Sequence, residues 1–161
     1  MQKLNVNIRR FLIVSGAVLS ILPLLLSCGK PKVEDEGKEL PLIATSDELT
    51  AASDSAGDRM VVLDLYADWC MPCKLVAPVL YDLANENKNS VFFYRVNVDK
   101  SPDIAQSFGV RGIPYVIFMK HKKAVYALTG VKPKEQYQKV LDICKGTGSP
   151  DECVSQLNER M

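Results

Sequence analysis

The chain has 161 residues, 47% of them hydrophobic and 24% charged, and its formal net charge is +1. That length suits one ordinary domain with a short leader, and the balanced charge excludes the basic surface that nucleic-acid binding needs and any electrostatic attraction for a highly charged substrate. The charge is unevenly spread: Lys3, Arg9 and Arg10 precede Cys28 with no acid among them, so the remainder is slightly acidic.

Residues 1–27 read as an export signal, with a basic start, an apolar run from Phe11 to Leu26 and a small residue, Ser27, before the cut. A membrane-spanning helix would need roughly 20 apolar residues. This run has 16 and is broken by Ser15, Gly16, Ser20 and Pro23. Leu25-Leu26-Ser27-Cys28 resembles the bacterial lipobox, which implies that Cys28 is acylated and becomes the mature N-terminus. A simple cleaved signal and a retained anchor are the alternatives. Several acyl chains, at about 0.8 kcal/mol per buried CH₂, hold a protein stably on a membrane where one chain would not. The expected location is therefore the cell envelope, lipid-anchored and periplasmic, with Gly29 permitting outer-membrane sorting in a Gram-negative cell. Residues 28–40, rich in Lys, Glu, Pro and Gly, read as the acylated cysteine and a solvated tether. The folded domain is expected at 41–161.

Within it, a short strand is possible at Leu42–Ala44, and Thr45-Ser46-Asp47-Glu48 has the character of a capping box opening a helix. Met60–Tyr66 is almost continuously apolar, as in a strand buried on both faces. Met71–Asn87 predicts a long helix with a kink at Pro78. Val91–Val98 predicts a second strand. Ser101 and Pro102 place a cap and a first-turn proline before a helix at Asp103–Phe108, which Gly109 stops. Tyr115–Lys120 and Ala124–Thr129, joined by the basic turn His121-Lys122-Lys123, predict an antiparallel hairpin. Pro133 opens a helix to about Cys144, with Tyr137, Val140, Leu141 and Cys144 on one face, and Ser149-Pro150-Asp151-Glu152 caps a last helix to about Glu159. Strands alternating with helices predict a three-layer α/β domain with a mostly parallel sheet and an antiparallel edge.

Cys70-Met71-Pro72-Cys73 stands where a buried strand gives way to a long helix. Unpaired N–H groups and the helix dipole favour a thiolate there. The two-residue spacing lets the second sulfur attack a mixed disulfide formed on the first. In this position the first cysteine is normally the exposed one, so Cys70 attacks and Cys73 resolves. Zinc sites use the same spacing, but beyond the pair only His121, Cys144 and Cys153 remain, with no second close pair. No metal or cofactor is expected. Two buried, inert cysteines would need neither the proline between them nor the helix start.

Val62–Pro78, with Asn97-Val98-Asp99 and Gly109-Val110-Arg111-Gly112-Ile113-Pro114, resembles the landmarks of the thioredoxin family over about residues 42–144. The tyrosine and aspartate before Trp69 are also similar to the thioredoxin-like domain of the periplasmic membrane-bound thiol:disulfide interchange protein. The resemblance implies a thioredoxin fold: three layers, α/β/α, around a central mixed sheet, with an extra C-terminal helix. It implies that Ile113-Pro114 is a cis bond that turns the Ile113 backbone toward the substrate strand. Trp69, Pro72 and Gly130 would complete a flat apolar recognition surface, although Trp69 could instead be an ordinary half-buried aromatic. Asp64, a charge inside an apolar strand, matches the family's buried aspartate, which takes the proton from the resolving thiol; its plain alternative is a satisfied core carboxyl. Arg95 stands where the family often has lysine, and could hold Asp64 ionised more strongly. Met71 is a second departure, and Pro72 leans toward the reducing members, since strong oxidants place histidine before the second cysteine.

Cys144 and Cys153 flank a Gly-rich turn, and in an oxidising compartment they read as a structural disulfide, with a second redox pair or free buried thiols as alternatives. The whole chain therefore reads as a monomeric reductase of disulfides in envelope proteins, supplied with electrons by a membrane donor. An oxidase or isomerase, and a non-catalytic binding lipoprotein, are the competing readings.

Overall fold

The computed structural model describes residues 39–161; the expected signal peptide, the acylated Cys28 and nearly all of the tether lie outside the described residues. Core packing is already under way at Leu40, which is buried. The chain then passes through helix α1 (Ser46–Ala56), strand β1 (Met60–Tyr66), α2 (Met71–Asn87), β2 (Val91–Asn97), α3 (Pro102–Ser107), β3 (Tyr115–Lys120), β4 (Lys123–Thr129), α4 (Lys134–Cys144) and α5 (Pro150–Arg160).

Both capping boxes form, in the same slightly extended way. Thr45 Oγ1 accepts from the Glu48 N–H, while the Glu48 carboxylate accepts from the N–H of Ala44, one residue before the cap. Ser149, Glu152 and Gly148 repeat the arrangement at α5. Two donors are thus satisfied at each helix start. Ser101 behaves differently: its hydroxyl donates to the Ala44 carbonyl at 2.7 Å instead of capping α3, and so ties α3 to the segment before α1. Pro133 is the cap residue of α4, and the helix proper begins at Lys134. Helix α2 continues through Pro78, which is exposed, leaving the Lys74 carbonyl that lost its donor on the watered side.

The sheet order is β2-β1-β3-β4. All seven residues of β1 are buried, as a central strand covered on both faces requires. Met60, Val62 and Asp64 face the layer of α2, α4 and α5, whereas Val61, Leu63 and Leu65 face α1 and α3. The three layers, α/β/α, and the extra C-terminal helix are as anticipated. The expectation of a mostly parallel sheet is corrected: only β1 and β2 pair in parallel, and β1–β3 and β3–β4 are antiparallel. The connection before β3 explains why. With six residues, α3 spans about 9 Å at 1.5 Å per residue, too short to carry the chain back along the sheet for a parallel crossover. The possible strand at Leu42–Ala44 shrinks to one bridge, Leu42 to Arg95, because Thr45 already caps α1.

The hairpin between β3 and β4 turns on two residues only. His121 and Lys122 both have positive φ, 47° and 65°, and neither is the Gly or Asn such a turn prefers. Acids of the α1 end hold them: the His121 ring nitrogen lies 3.1 Å from Asp58 Oδ1, and Lys122 is ion-paired with Asp54.

Candidate active site

The ends of β1 and β2 and the start of β3 converge on the first turn of α2. Cys70 is the N-cap residue of that helix, with φ −79° and ψ 99°, and its sulfur accepts from the Cys73 N–H at 3.2 Å. A sulfur in this place takes the position a serine or aspartate oxygen has at an ordinary cap, so negative charge on it is met by an unpaired N–H and the positive end of the helix. Cys70 and Cys73 are joined in a disulfide, with 5.3 Å between their Cα atoms.

The expectation that Cys70 is the exposed cysteine is corrected. It is 3% exposed against 1% for Cys73, because Tyr66, Ala67 and Ile113 pack around the bridge. What reaches solvent is its neighbours. Trp69 is 69% and Met71 67% exposed, with Leu75 one turn beyond Met71 on the same open flank of α2. Trp69 is therefore not a half-buried aromatic. Its indole N–H donates to Asp99 at 2.8 Å, and the Asn97 side chain in turn accepts from the Asp99 N–H at 3.0 Å. Pro72 is exposed in the first turn.

The Ile113-Pro114 bond is cis. Pro114 is buried and Ile113 packs against the cysteine cluster. Gly130, at φ 76°, donates its N–H to the Pro114 carbonyl at 2.8 Å, so the end of β4 is fastened to this loop. A residue with a Cβ is strained at that φ. Val131 follows it at the surface, 49% exposed.

Asp64 and Arg95 are register partners on β1 and β2, and the Arg95 Nε–H donates to Asp64 Oδ2 at 2.9 Å. The guanidinium also lies over the Tyr66 ring, 3.6 Å from its centre. Asp64 is wholly buried, and its Oδ1 has no hydrogen-bond partner among the described residues. Burial raises the Asp64 pKa above the ordinary carboxylate value, and the charge and hydrogen bond of Arg95 offset this only in part. A carboxyl whose pKa is raised by burial is a stronger proton acceptor than an ordinary one. A cavity of about 340 Å³ has Tyr66, Cys73, Lys74 and Arg95 in its wall. A larger one, of about 600 Å³, lies against α4 and Arg160 and touches none of these residues.

Cys144 and Cys153 are joined in a second disulfide, both wholly buried, between α4 and α5. Lys120, a buried residue to which the sequence drew no attention, donates from its Nζ to the Cys144 carbonyl at 3.3 Å. A cation there suits the negative end of α4. Among the described residues no group of three or more His, Cys, Asp or Glu is placed to hold a metal ion, and no helix is long and apolar enough to cross a membrane.

The structure brings Cys70, Cys73, Trp69, Pro72, Ile113, Pro114 and Gly130 to one end of the sheet, with Asp64 and Arg95 beneath. Val131 was not singled out for this site, and Asn97 and Asp99 were read only as part of a family landmark. Asn97 and Asp99 sit in a motif the sequence displayed, but their bond to an indole 30 positions away depends on the fold.

Comparison with known proteins agrees with this geometry. The family model Thioredoxin matches residues 44–143. The chain is 39% identical over 82 residues to the thioredoxin of Alicyclobacillus acidocaldarius, covering 51% of this chain and 78% of that protein. It is 33% identical over 99 residues to thioredoxin H4 of Arabidopsis thaliana, covering 60% and 83%. Among solved structures, Fasciola hepatica thioredoxin superposes with a TM-score of 0.62 at 28% identity, covering 65% of this chain and 99% of that one. Malassezia sympodialis thioredoxin gives 0.61 at 29%, covering 67% and 95%. With a disulfide whose first cysteine caps a helix beside a cis-proline loop, and a family model spanning most of the folded part, the chain belongs to the thioredoxin family and is a thiol–disulfide oxidoreductase.

Proposed function

We propose that the protein reduces disulfides of cell-envelope proteins while tethered to a membrane through acylated Cys28. The observation that carries the chemistry is the Cys70 sulfur at the cap of α2, within 3.2 Å of the Cys73 N–H. In the dithiol form the Cys70 thiolate attacks a substrate disulfide. One substrate sulfur leaves as a thiolate, and the other stays bound to Cys70. Cys73 then loses its proton to Asp64 and attacks Cys70. The Cys70–Cys73 bond forms, the second substrate sulfur departs, and two electrons have passed to the substrate. Arg95 holds the Asp64 carboxylate in place on one oxygen, leaving Oδ1 for the proton.

Pro72, rather than histidine, before Cys73 supports the reducing direction. Leu25-Leu26-Ser27-Cys28 supports the lipid anchor, and the slightly acidic remainder supports a soluble body beyond it. A reductase outside the cytosol has no local supply of reductant, so its oxidised form must be recycled by a membrane donor. In this reading the protein works as a monomer, and the exposed Trp69, Met71 and Val131 meet a substrate chain.

Equilibration of the Cys70–Cys73 pair with glutathione tests the direction. A potential near that of the reducing family members is expected, and one near that of strong oxidants would reverse the assignment. Labelled fatty acid should enter the wild type and not Cys28→Ala; equal labelling of both would remove the anchor.

A further inference from the structure

Besides Asp64 Oδ1, a second buried polar atom facing the same layer has no hydrogen-bond partner among the described residues: the hydroxyl of Tyr137. Tyr137 belongs to α4 and is wholly buried. Across the sheet, Arg95, Asp64, Val116 and Leu128 are successive register partners. Val116, Leu128 and Tyr137 pack in one cluster, so the phenol lies in the layer toward which Asp64 points. Two lone polar atoms in one apolar layer are each costly, by about 1–3 kcal/mol, and pairing them removes both penalties.

We propose that Tyr137 is a positioning residue for Asp64, its hydroxyl serving the free Oδ1 through one bridging water. The phenol donates when Asp64 is ionised and accepts when Asp64 carries the proton from Cys73, as a hydroxyl is able to do. Arg95 then holds one carboxylate oxygen and Tyr137 the other, and together they set the pH at which the proton is taken up. This rests on the reading of Asp64 as the acceptor of the Cys73 proton.

The surroundings leave few competing groups. On the same side of the sheet, α2 contributes Cys73 and the partly buried Tyr81, β2 contributes Arg95, and β4 contributes the partly buried Tyr126. Lys120 of β3 lies near Met60, four residues along β1, and is engaged by the Cys144 carbonyl. The backbone of Lys132 approaches the phenol oxygen and favours its ionised form, but without the geometry of a hydrogen bond. Burial raises the Tyr137 pKa, and the charge of Asp64 raises it further, so the two groups are electrostatically coupled.

The test is Tyr137→Phe in the full chain, which removes the oxygen and keeps the ring. Asp64 is followed by the carboxyl signal of carbon-13-labelled aspartate, assigned by its loss in Asp64→Asn. Losing a donor to the carboxylate should move the Asp64 midpoint upward by about one pH unit. The pH profile of mixed-disulfide release should move with it, and Tyr137→Phe should add nothing in the Asp64→Asn background. Tyr137→Leu, which also lacks the hydroxyl, gives the same shift if Phe packs poorly. A purely structural tyrosine would lower the unfolding midpoint and leave the titration where it was. Coincident Asp64 titrations in wild type, Tyr137→Phe and Tyr137→Leu overturn the proposal. If the titration shifts but Asp64→Asn releases product at the wild-type rate, the pairing stands and the role of Asp64 in release is what fails.

Discussion

The two disulfides use the same bond in opposite surroundings. Cys70 and Cys73 are three residues apart, one sulfur sits at the unpaired start of a helix, and exposed Trp69 and Met71 flank the bridge. Cys144 and Cys153 are nine apart and lie wholly inside the joint between α4 and α5, among apolar side chains and the Lys120 amine that holds the Cys144 carbonyl; Cys144 ends α4, where the dipole disfavours a thiolate, and the Cys153 N–H is already bonded to the Ser149 carbonyl. The sulfur chemistry is common to both. Reactivity follows from whether the sulfur itself meets an unpaired N–H at a helix start and from what can approach it.

The largest effect expected from this contrast is on turnover. Cys70→Ser should reduce dithiothreitol-driven insulin reduction to the uncatalysed background, while the double variant Cys144→Ala/Cys153→Ala keeps it within about twofold, since the second bridge supplies no reacting atom. Loss of activity in the double variant with folding intact would break the comparison. Asp64→Asn comes next. Without its proton acceptor, release of the mixed disulfide should slow about ten- to a hundredfold, read by quenching and separating the Cys70 adduct. The same substitution sharpens the role of burial. Because the folded pKa of Asp64 is raised, its contribution to stability is fully present below the unfolded value of about 3.9 and is lost as pH rises through the folded pKa. Wild type should therefore lose stability relative to Asp64→Asn between acid and neutral pH in urea titrations of the oxidised form; a constant difference would contradict the raised pKa.

The double variant Cys144→Ala/Cys153→Ala should lose roughly 2–3 kcal/mol of unfolding free energy, the value of closing so short a loop. Under limiting dithiothreitol, alkylation should label Cys70 and Cys73 before either of the other two. Smallest is Trp69→Ala, expected to raise the KM for a protein disulfide severalfold with little change in the unfolding midpoint, since the indole is mostly outside the core.

Much of this was legible in the sequence because the elements announce themselves locally. The continuous apolar run of Met60–Tyr66, the capping residues Thr45 and Ser149, and the cysteine pair at a strand-to-helix boundary each carry their own signal. The pairing of Asp64 with Arg95 was readable by family likeness, but not its energetic balance, which depends on how completely β1 is covered. The direction of β3 was misjudged because alternation of strands and helices does not report how far a six-residue helix reaches. The hairpin turn at His121 and Lys122 was hidden for a related reason: its stabilising acids, Asp54 and Asp58, belong to the end of α1 and the residues just after it. Tyr137 looked like one more apolar stripe residue, and only its lone hydroxyl sets it apart.

The chain contains one tryptophan, and it adjoins the reacting sulfur. A disulfide quenches an excited indole, so opening the Cys70–Cys73 bridge should brighten the emission of Trp69, with no other indole to dilute the change. Asp99 restrains the ring through a hydrogen bond, giving the fluorophore a defined orientation. The protein thus carries an intrinsic optical gauge of its own oxidation state, readable in real time without any label.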